Sequence, residues 1–190
     1  MYESVTSSLR AYEDSMFSGW DGTVDGTLAE KLTLPLLTRH PKTMELTVNF
    51  DLQLTKLLNE CKYFVVQRKA IPEIAVALYK DAETYRVQTA NLERMKNMYN
   101  EMLRKMLDVE KPLLKGQMKA IDKVLDQGLK QLVWKSANPD KDAFIAEVFN
   151  LVTDAHRVLF EMKSNMEKVI KVLSVWTSSP LIARASMMKT

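Results

Sequence analysis

Two apolar stripes, each ten positions long and spaced for a helix, constrain this chain more than any other feature of its sequence. The first runs Ala75, Leu78, Ala82, Tyr85, Thr89, Leu92, Met95, Tyr99, Met102, Met106. The second runs Phe144, Val148, Leu151, Ala155, Val158, Met162, Met166, Val169, Leu173, Trp176. Steps of three and four residues keep each set on one face of a helix. The spacing therefore predicts helices over about residues 72–108 and 139–176, each ~55 Å long at 1.5 Å per residue. A long helix with one apolar face draws its stability from packing, so both need partners along their length. The expected fold is all-α, an elongated antiparallel helical bundle. Neither stripe keeps a strict heptad. Two steps of three follow Thr89, a slip that overwinds a supercoil, and two steps of four flank Met162, a stutter that relaxes it.

The shorter elements follow from breakers and caps. Only five glycines and six prolines occur in 190 residues, too few for a turn-rich β fold, while twelve methionines suit gaps between helices. Asp51 is a candidate N-cap for a helix over about 51–68 carrying Leu54, Leu57, Cys61 and Phe64. Pro72 suits the first turn of the helix that follows. A helix over about 112–127 bears Leu114, Met118, Ile121 and Leu125, with Gly128 placed to stop it. Asn138 can cap the last helix, and Asp140 and Asp142 complement its dipole. At the N-terminus a short helix, or the tail end of a longer one, is expected to about residue 18; Gly19, Gly22 and Gly26 then break the pattern, although Trp20 and Val24 can still pack. Leu28, Leu32, Leu36 and Leu37 form a second apolar stripe interrupted by Pro35, and His40-Pro41 marks a turn.

Composition narrows the function. Lysine and arginine total 27 against 24 acidic residues, a net charge of +3, with the signs interspersed around Lys111 and Lys115. Mixed charge reads as a solvated surface and not as a phosphate track, so no nucleic-acid partner is expected. The lone Cys61 forms no internal disulfide, which points to a reducing compartment. No apolar run approaches the ~20 residues of a membrane span, and Met1-Tyr2-Glu3-Ser4 lacks the order of a secretory signal. Gly116 has no P-loop partner, and the glycines at 19, 22 and 26 do not make a dinucleotide fingerprint.

The same plainness extends to catalysis. His40, His156 and Cys61 make a poor zinc set, and Cys61 on an apolar stripe reads as core. Asp108 with Glu110, and Asp122 with Asp126, read as solvated faces. Tyr99 and Trp134 read as packing at helix ends, since an aromatic platform for bases needs basic neighbours. No catalytic, cofactor-binding or metal-ligating residue is assigned, and no cofactor is expected.

One resemblance gives this outline a context. Val48-Asn49-Phe50-Asp51 with Leu57 and Glu60 to Tyr63, Pro72-Glu73, Arg86, Leu92 and Tyr99-Asn100 occur in the order found in the dynein heavy chain tail, N-terminal region 1. Val109-Glu110-Lys111-Pro112-Leu113, Ile121-Asp122, Gly128-Leu129, Leu132 to Ser136, Phe144-Ile145 and Trp176 with Pro180-Leu181 and Arg184 continue it. Tyr12-Glu13, Trp20 and Pro35-Leu36-Leu37 with Arg39 extend the likeness upstream, so it covers about residues 12–184. Val133 departs from it, standing where many members have Thr. No single motif is specific; their order carries the match.

The resemblance implies residues 1–47 as the end of an upstream helix plus linker, 48–184 as a tail helical bundle and 185–190 as a truncated end. It implies a non-catalytic scaffold segment of an ATP-driven, minus-end-directed microtubule motor whose motor domain is absent here, making the chain a fragment. The partners it implies are dynein intermediate and light chains and other heavy-chain tails, with no membrane, nucleic-acid or direct microtubule contact. The expected location is cytoplasm and cytoskeleton, and the cilium axoneme for an axonemal member. The competing readings are an independent coiled-coil or helical-bundle adaptor or dimerisation module, a salt-dependent binder of membranes or nucleic acid, and a helical enzyme.

Overall fold

A computed structural model describes residues 2–178 of the chain. The truncated end expected at 185–190, and Pro180, Leu181 and Arg184 of the resemblance, lie outside the described residues. Six helices and a two-stranded hairpin follow in order: α1 (Tyr2–Leu32), β1 (Leu37–Arg39), β2 (Leu46–Val48), α2 (Leu52–Val66), α3 (Glu73–Lys80), α4 (Ala82–Lys105), α5 (Lys115–Lys130) and α6 (Asn138–Ser178). The fold is the helical bundle that the periodicity predicts.

The N-terminal half differs most from expectation. α1 does not stop at Gly19; it continues through all three glycines for 31 residues. Each glycine costs a helix roughly 0.5–1 kcal/mol relative to alanine. Burial of Val24 and Leu28, and the packing of Trp20 on Phe64, offset that cost. Tertiary packing overrides propensity here. α1 and α2 run antiparallel. Lys31 meets Asp51 at 3.0 Å at one end, Phe17 packs on Phe64, and Gln67 Nε2 donates to Glu13 at the other. Asp51 caps α2 as its position predicts, accepting from Gln53 N at 2.8 Å.

The β1–β2 hairpin was not legible beyond its turn. Leu37 pairs with Val48, Thr38 with Thr47 and Arg39 with Leu46. Three-residue strands carry too little alternation to announce themselves. His40 builds the turn, with its Nδ1 accepting from Thr43 N at 3.1 Å, and Met44 takes a left-handed φ of 60°. Asn100 of α4 pairs with the backbone of β2: Leu46 N donates to its Oδ1 at 2.8 Å and its Nδ2 donates to Leu46 O at 2.9 Å.

The helix expected over 72–108 is divided. Asp81 sits between α3 and α4 with ψ near 6°, and its carboxylate accepts from Asn138 Nδ2 at 3.3 Å. α4 ends at Lys105 because Met106 turns extended. α5 runs through Gly128, whose role is close approach and not termination. A Cβ there would lie 2.3 Å from Cζ of Phe144. Asn138 is the first residue of α6, and Ala137 supplies the first carbonyl, accepting from Lys141 N at 3.2 Å. Asn138 therefore ties α6 to Asp81 instead of capping it.

α4 and α6, the long helices read from the stripes, run in the same direction, so the antiparallel packing expected of the bundle does not hold between these two. Gln88 Nε2 donates to Asp142 at 2.8 Å, Arg94 stacks over Phe149, and Lys163 reaches Glu110 at 3.1 Å. α5 is antiparallel to both, with Gly128 against Phe144 at one end and Gly116 and Ala120 beside Leu151 and Asp154 at the other. One hydrophobic core extends from Val24 to Leu159.

The loop after α5 joins the two halves. Leu36 N donates to Leu132 O, Trp134 N to Leu34 O and Lys135 N to Leu32 O, at 3.2, 3.3 and 2.8 Å. Trp134 fills the space beneath with its indole N–H on Asn49 O at 2.8 Å and its ring edge-on to Phe50.

Candidate docking surfaces

The residues weighed for chemistry are held in structural contacts. Cys61 is buried, and burial, with the nearby Glu60 charge adding to it, pushes its thiol up to about 11. A thiol so protonated is a poor nucleophile. His40 belongs to the hairpin turn and His156 lies in a shallow groove between α4 and α6 beside Glu101 and Lys105. Asp122 pairs with Arg39 at 2.7 Å and Asp126 with Lys130 at 3.0 Å, so these carboxylates do not share a site. Asp108 pairs with Lys111 at 2.6 Å. Glu110 is buried, accepting from Leu107 N at 2.8 Å and from Lys163. The Leu107 N–H, and then Lys163, hold its carboxyl below the usual range, against the opposing effect of burial.

Trp134 and Tyr99 are both buried, as the packing reading predicts. What the sequence did not announce is Lys141, only 1% exposed. Its ammonium donates to Trp134 O at 2.9 Å and lies 4.5 Å from the centre of the Tyr85 ring. Burial lowers its pKa, and Asp81 and Asp142 act in the opposite sense. A buried lysine can be a catalytic base. This one braces the loop that closes over α6. Among the described residues, no group of three or more His, Cys, Asp or Glu could hold a metal ion, and no helix is long and apolar enough to cross a membrane.

The features that invite a partner are two apolar surfaces. The stripe of α6 was expected to be covered throughout. Among the described residues the buried core ends at Leu159, and the ion pair furthest along α6 to another element is Lys163 to Glu110. Beyond it, Met166, Val169, Leu173 and Trp176 of the stripe stand in solvent, with Val169 at 56% and Trp176 at 68% exposure. Ile170, Val172 and Val175 widen this apolar face. α4 stops at Lys105, so α6 outruns its neighbours by about fifteen residues, roughly 22 Å. The second surface lies on α1, where Leu9, Tyr12 and Met16 are exposed.

Together these features define a class: an all-helical module whose polar clusters are tied up in structural contacts and whose helix ends expose apolar faces. Comparison with known proteins makes the family specific. Residues 1–141 match the family model for dynein heavy chain, N-terminal region 1. The chain belongs to the dynein heavy chain family. It is 32% identical over 189 residues to the ciliary dynein beta chain of Tripneustes gratilla, covering 99% of this chain and 4% of that one. The axonemal dynein heavy chain 9 of Homo sapiens is 32% identical over 178 residues, 93% of this chain and 4% of the relative. The flagellar outer arm beta chain of Chlamydomonas reinhardtii is 31% identical over 96% of this chain and 5% of its own. The chain thus spans about one twenty-fifth of the length of these relatives. Their ciliary, flagellar and axonemal names support a place in the cytoskeleton of the ciliary axoneme.

Proposed function

We propose that this chain is a non-catalytic scaffold segment of a dynein tail, supporting assembly and accessory-chain docking of a minus-end-directed microtubule motor. The observation that carries the reading is the apolar end of α6, a helix face of Met166, Val169, Leu173 and Trp176 left in solvent. A contiguous apolar face of this kind calls for a cover, whether from other parts of a longer chain or from another subunit. The family and the ciliary relatives supply the context in which that partner is a dynein subunit. The segment itself acts on no nucleotide in this reading, and contacts neither membrane nor microtubule.

The test is a pull-down with the purified, tagged chain from a ciliary extract, with bound proteins identified by mass spectrometry. Recovery of dynein intermediate chains or other heavy-chain tails, lost in a Val169→Glu/Leu173→Glu variant that keeps its circular dichroism spectrum, supports docking through α6. Equal recovery by the variant refutes that surface. Nucleotide turnover by the purified chain refutes the scaffold reading. The second reading, a module that dimerises through α6, is favoured by the same exposed stripe. It predicts a symmetric dimer in sedimentation without any other subunit.

A further inference from the structure

The groove between α1 and α2 is separate from the end of α6. It is open to solvent, with a volume of about 430 Å³. Its apolar walls are aromatic: Tyr12 and Trp20 from α1, Tyr63 and Phe64 from α2. Phe64 is buried at the floor, while Tyr12 and Tyr63 stand exposed at the rims, Tyr12 at 66%. These positions repeat at helical spacing on both walls, so the groove runs along the two antiparallel helices.

Its charge is one-sided. Glu13 and Glu60 line it and no lysine or arginine does, although Glu13 also borders the adjoining hollow that holds Arg10 and Lys69. Neither carboxylate has a cation within ion-pair distance among the described residues, whereas neighbouring Asp14 is already neutralised by Lys69. Both acids are nevertheless held in place. Trp20 Nε1 donates to Oε2 of Glu60 at 2.9 Å, which fixes that carboxylate across the groove and leaves Oε1 for an incoming donor. Gln67 Nε2 donates to Glu13 Oε1 at 3.4 Å. An oriented carboxylate with no cation on it, set among aromatic faces, favours a cation with a flat apolar surface. Guanidinium fits that description better than ammonium, since it stacks on rings and donates two parallel bonds to a carboxylate.

The geometry points to this groove as the docking site for a helix of a separate polypeptide that presents an arginine between apolar residues. The arginine stacks between Trp20 and Tyr63 and donates to Oε1 of Glu60, while Glu13 lies about two helical turns further along the groove. An apolar side chain one turn further along the partner helix, towards Glu13, covers Met16 and the Phe64 floor. This is the helix-in-groove mode of recognition, with the apolar face giving contact area and the arginine fixing register.

The experiment uses the 190-residue chain, labelled with nitrogen-15. The sequence has three tryptophans, each with one indole N–H resonance, and Trp20→Phe assigns the reporter in the groove. The probe is a stapled, alanine-based helical peptide carrying leucine, arginine and leucine one turn apart. A second peptide replaces arginine with citrulline, which keeps the shape and removes the charge. The Trp20 resonance moves on titration with the arginine peptide, and the citrulline peptide binds at least about tenfold more weakly. Glu60→Gln, which keeps an acceptor for Trp20, weakens the arginine peptide by about tenfold with the other resonances unmoved. Equal binding of the two peptides overturns the proposal. So does a response of Trp176 in place of Trp20, or no shift at about 1 mM peptide.

Discussion

Gly128→Ala tests the closest approach in the core. The glycine lies in the last turns of α5, facing the Phe144 ring of α6. An added Cβ falls 2.3, 2.7 and 3.1 Å from Cζ, Cε1 and Cε2 of that ring. Carbon atoms rest at ~3.5–4.0 Å, so the ring must retreat by more than 1 Å. Phe144 is only 2% exposed, in an interior packed at crystal density, and has nowhere to go without moving its neighbours. Overpacking of this kind costs about 1–3 kcal/mol. Removing a glycine from a helix gains about 1 kcal/mol, so the net effect is a loss of roughly 0–2 kcal/mol. Gly22→Ala, in the middle of α1, is the internal control. Nothing lies within 4 Å of its added Cβ, so only the gain of about 1 kcal/mol remains. The same substitution in two helices should differ by about 1–3 kcal/mol, or several degrees in melting temperature for a chain of this size. Urea titration followed by far-ultraviolet circular dichroism measures both midpoints at constant m-value. Phe144→Leu in the Gly128→Ala background should recover part of the loss and give a favourable coupling in a double-mutant cycle. If Gly128→Ala stabilises as much as Gly22→Ala, the contact between α5 and α6 is not the tight one described.

Three further outcomes are expected. Asn100→Leu strips Leu46 of two hydrogen bonds and leaves buried backbone groups unpaired, a loss of about 2–4 kcal/mol by the same titration. Cys61 should resist thiol reagents at neutral pH in the folded chain and react fully in denaturant; rapid labelling of the native protein would contradict its burial. The folded-state pKa of Glu110 lies below its unfolded value, so the stability it contributes is present above the ordinary glutamate range and is lost as pH falls through the folded value. Glu110→Gln should therefore flatten the acid limb of stability measured between about pH 3 and 6.

The helices were legible wherever one apolar face persisted long enough to outvote local signals. α2, α5 and α6 lie close to where their stripes put them, and Asp51 caps as its side chain suggests. The misreadings share a cause, which is that a residue type has several uses. Glycines that could end α1 or α5 instead sit on an exposed face or beneath a ring. Asp81 and Asn138, each a good cap by composition, bond to one another across the fold. The hairpin strands are too short to show alternation, and their edge is completed by a side chain 54 positions away in Asn100. For the docking surfaces, the stripe of α6 was visible but its exposure was not, because periodicity says which face is apolar and not whether a neighbour reaches it.

The backbone strap between residues 32–36 and 132–135 has a mechanical consequence. Three peptide hydrogen bonds and the Trp134 indole bond to Asn49 join chain segments about a hundred residues apart. Tension entering along α1 has a route into the α5–α6 end of the bundle that does not pass through the intervening helices. Bonds set side by side share a pull and must give way together, whereas bonds strained one at a time peel open. In a chain related to motor tails, this strap is the place where a pull on one end would be felt earliest at the other.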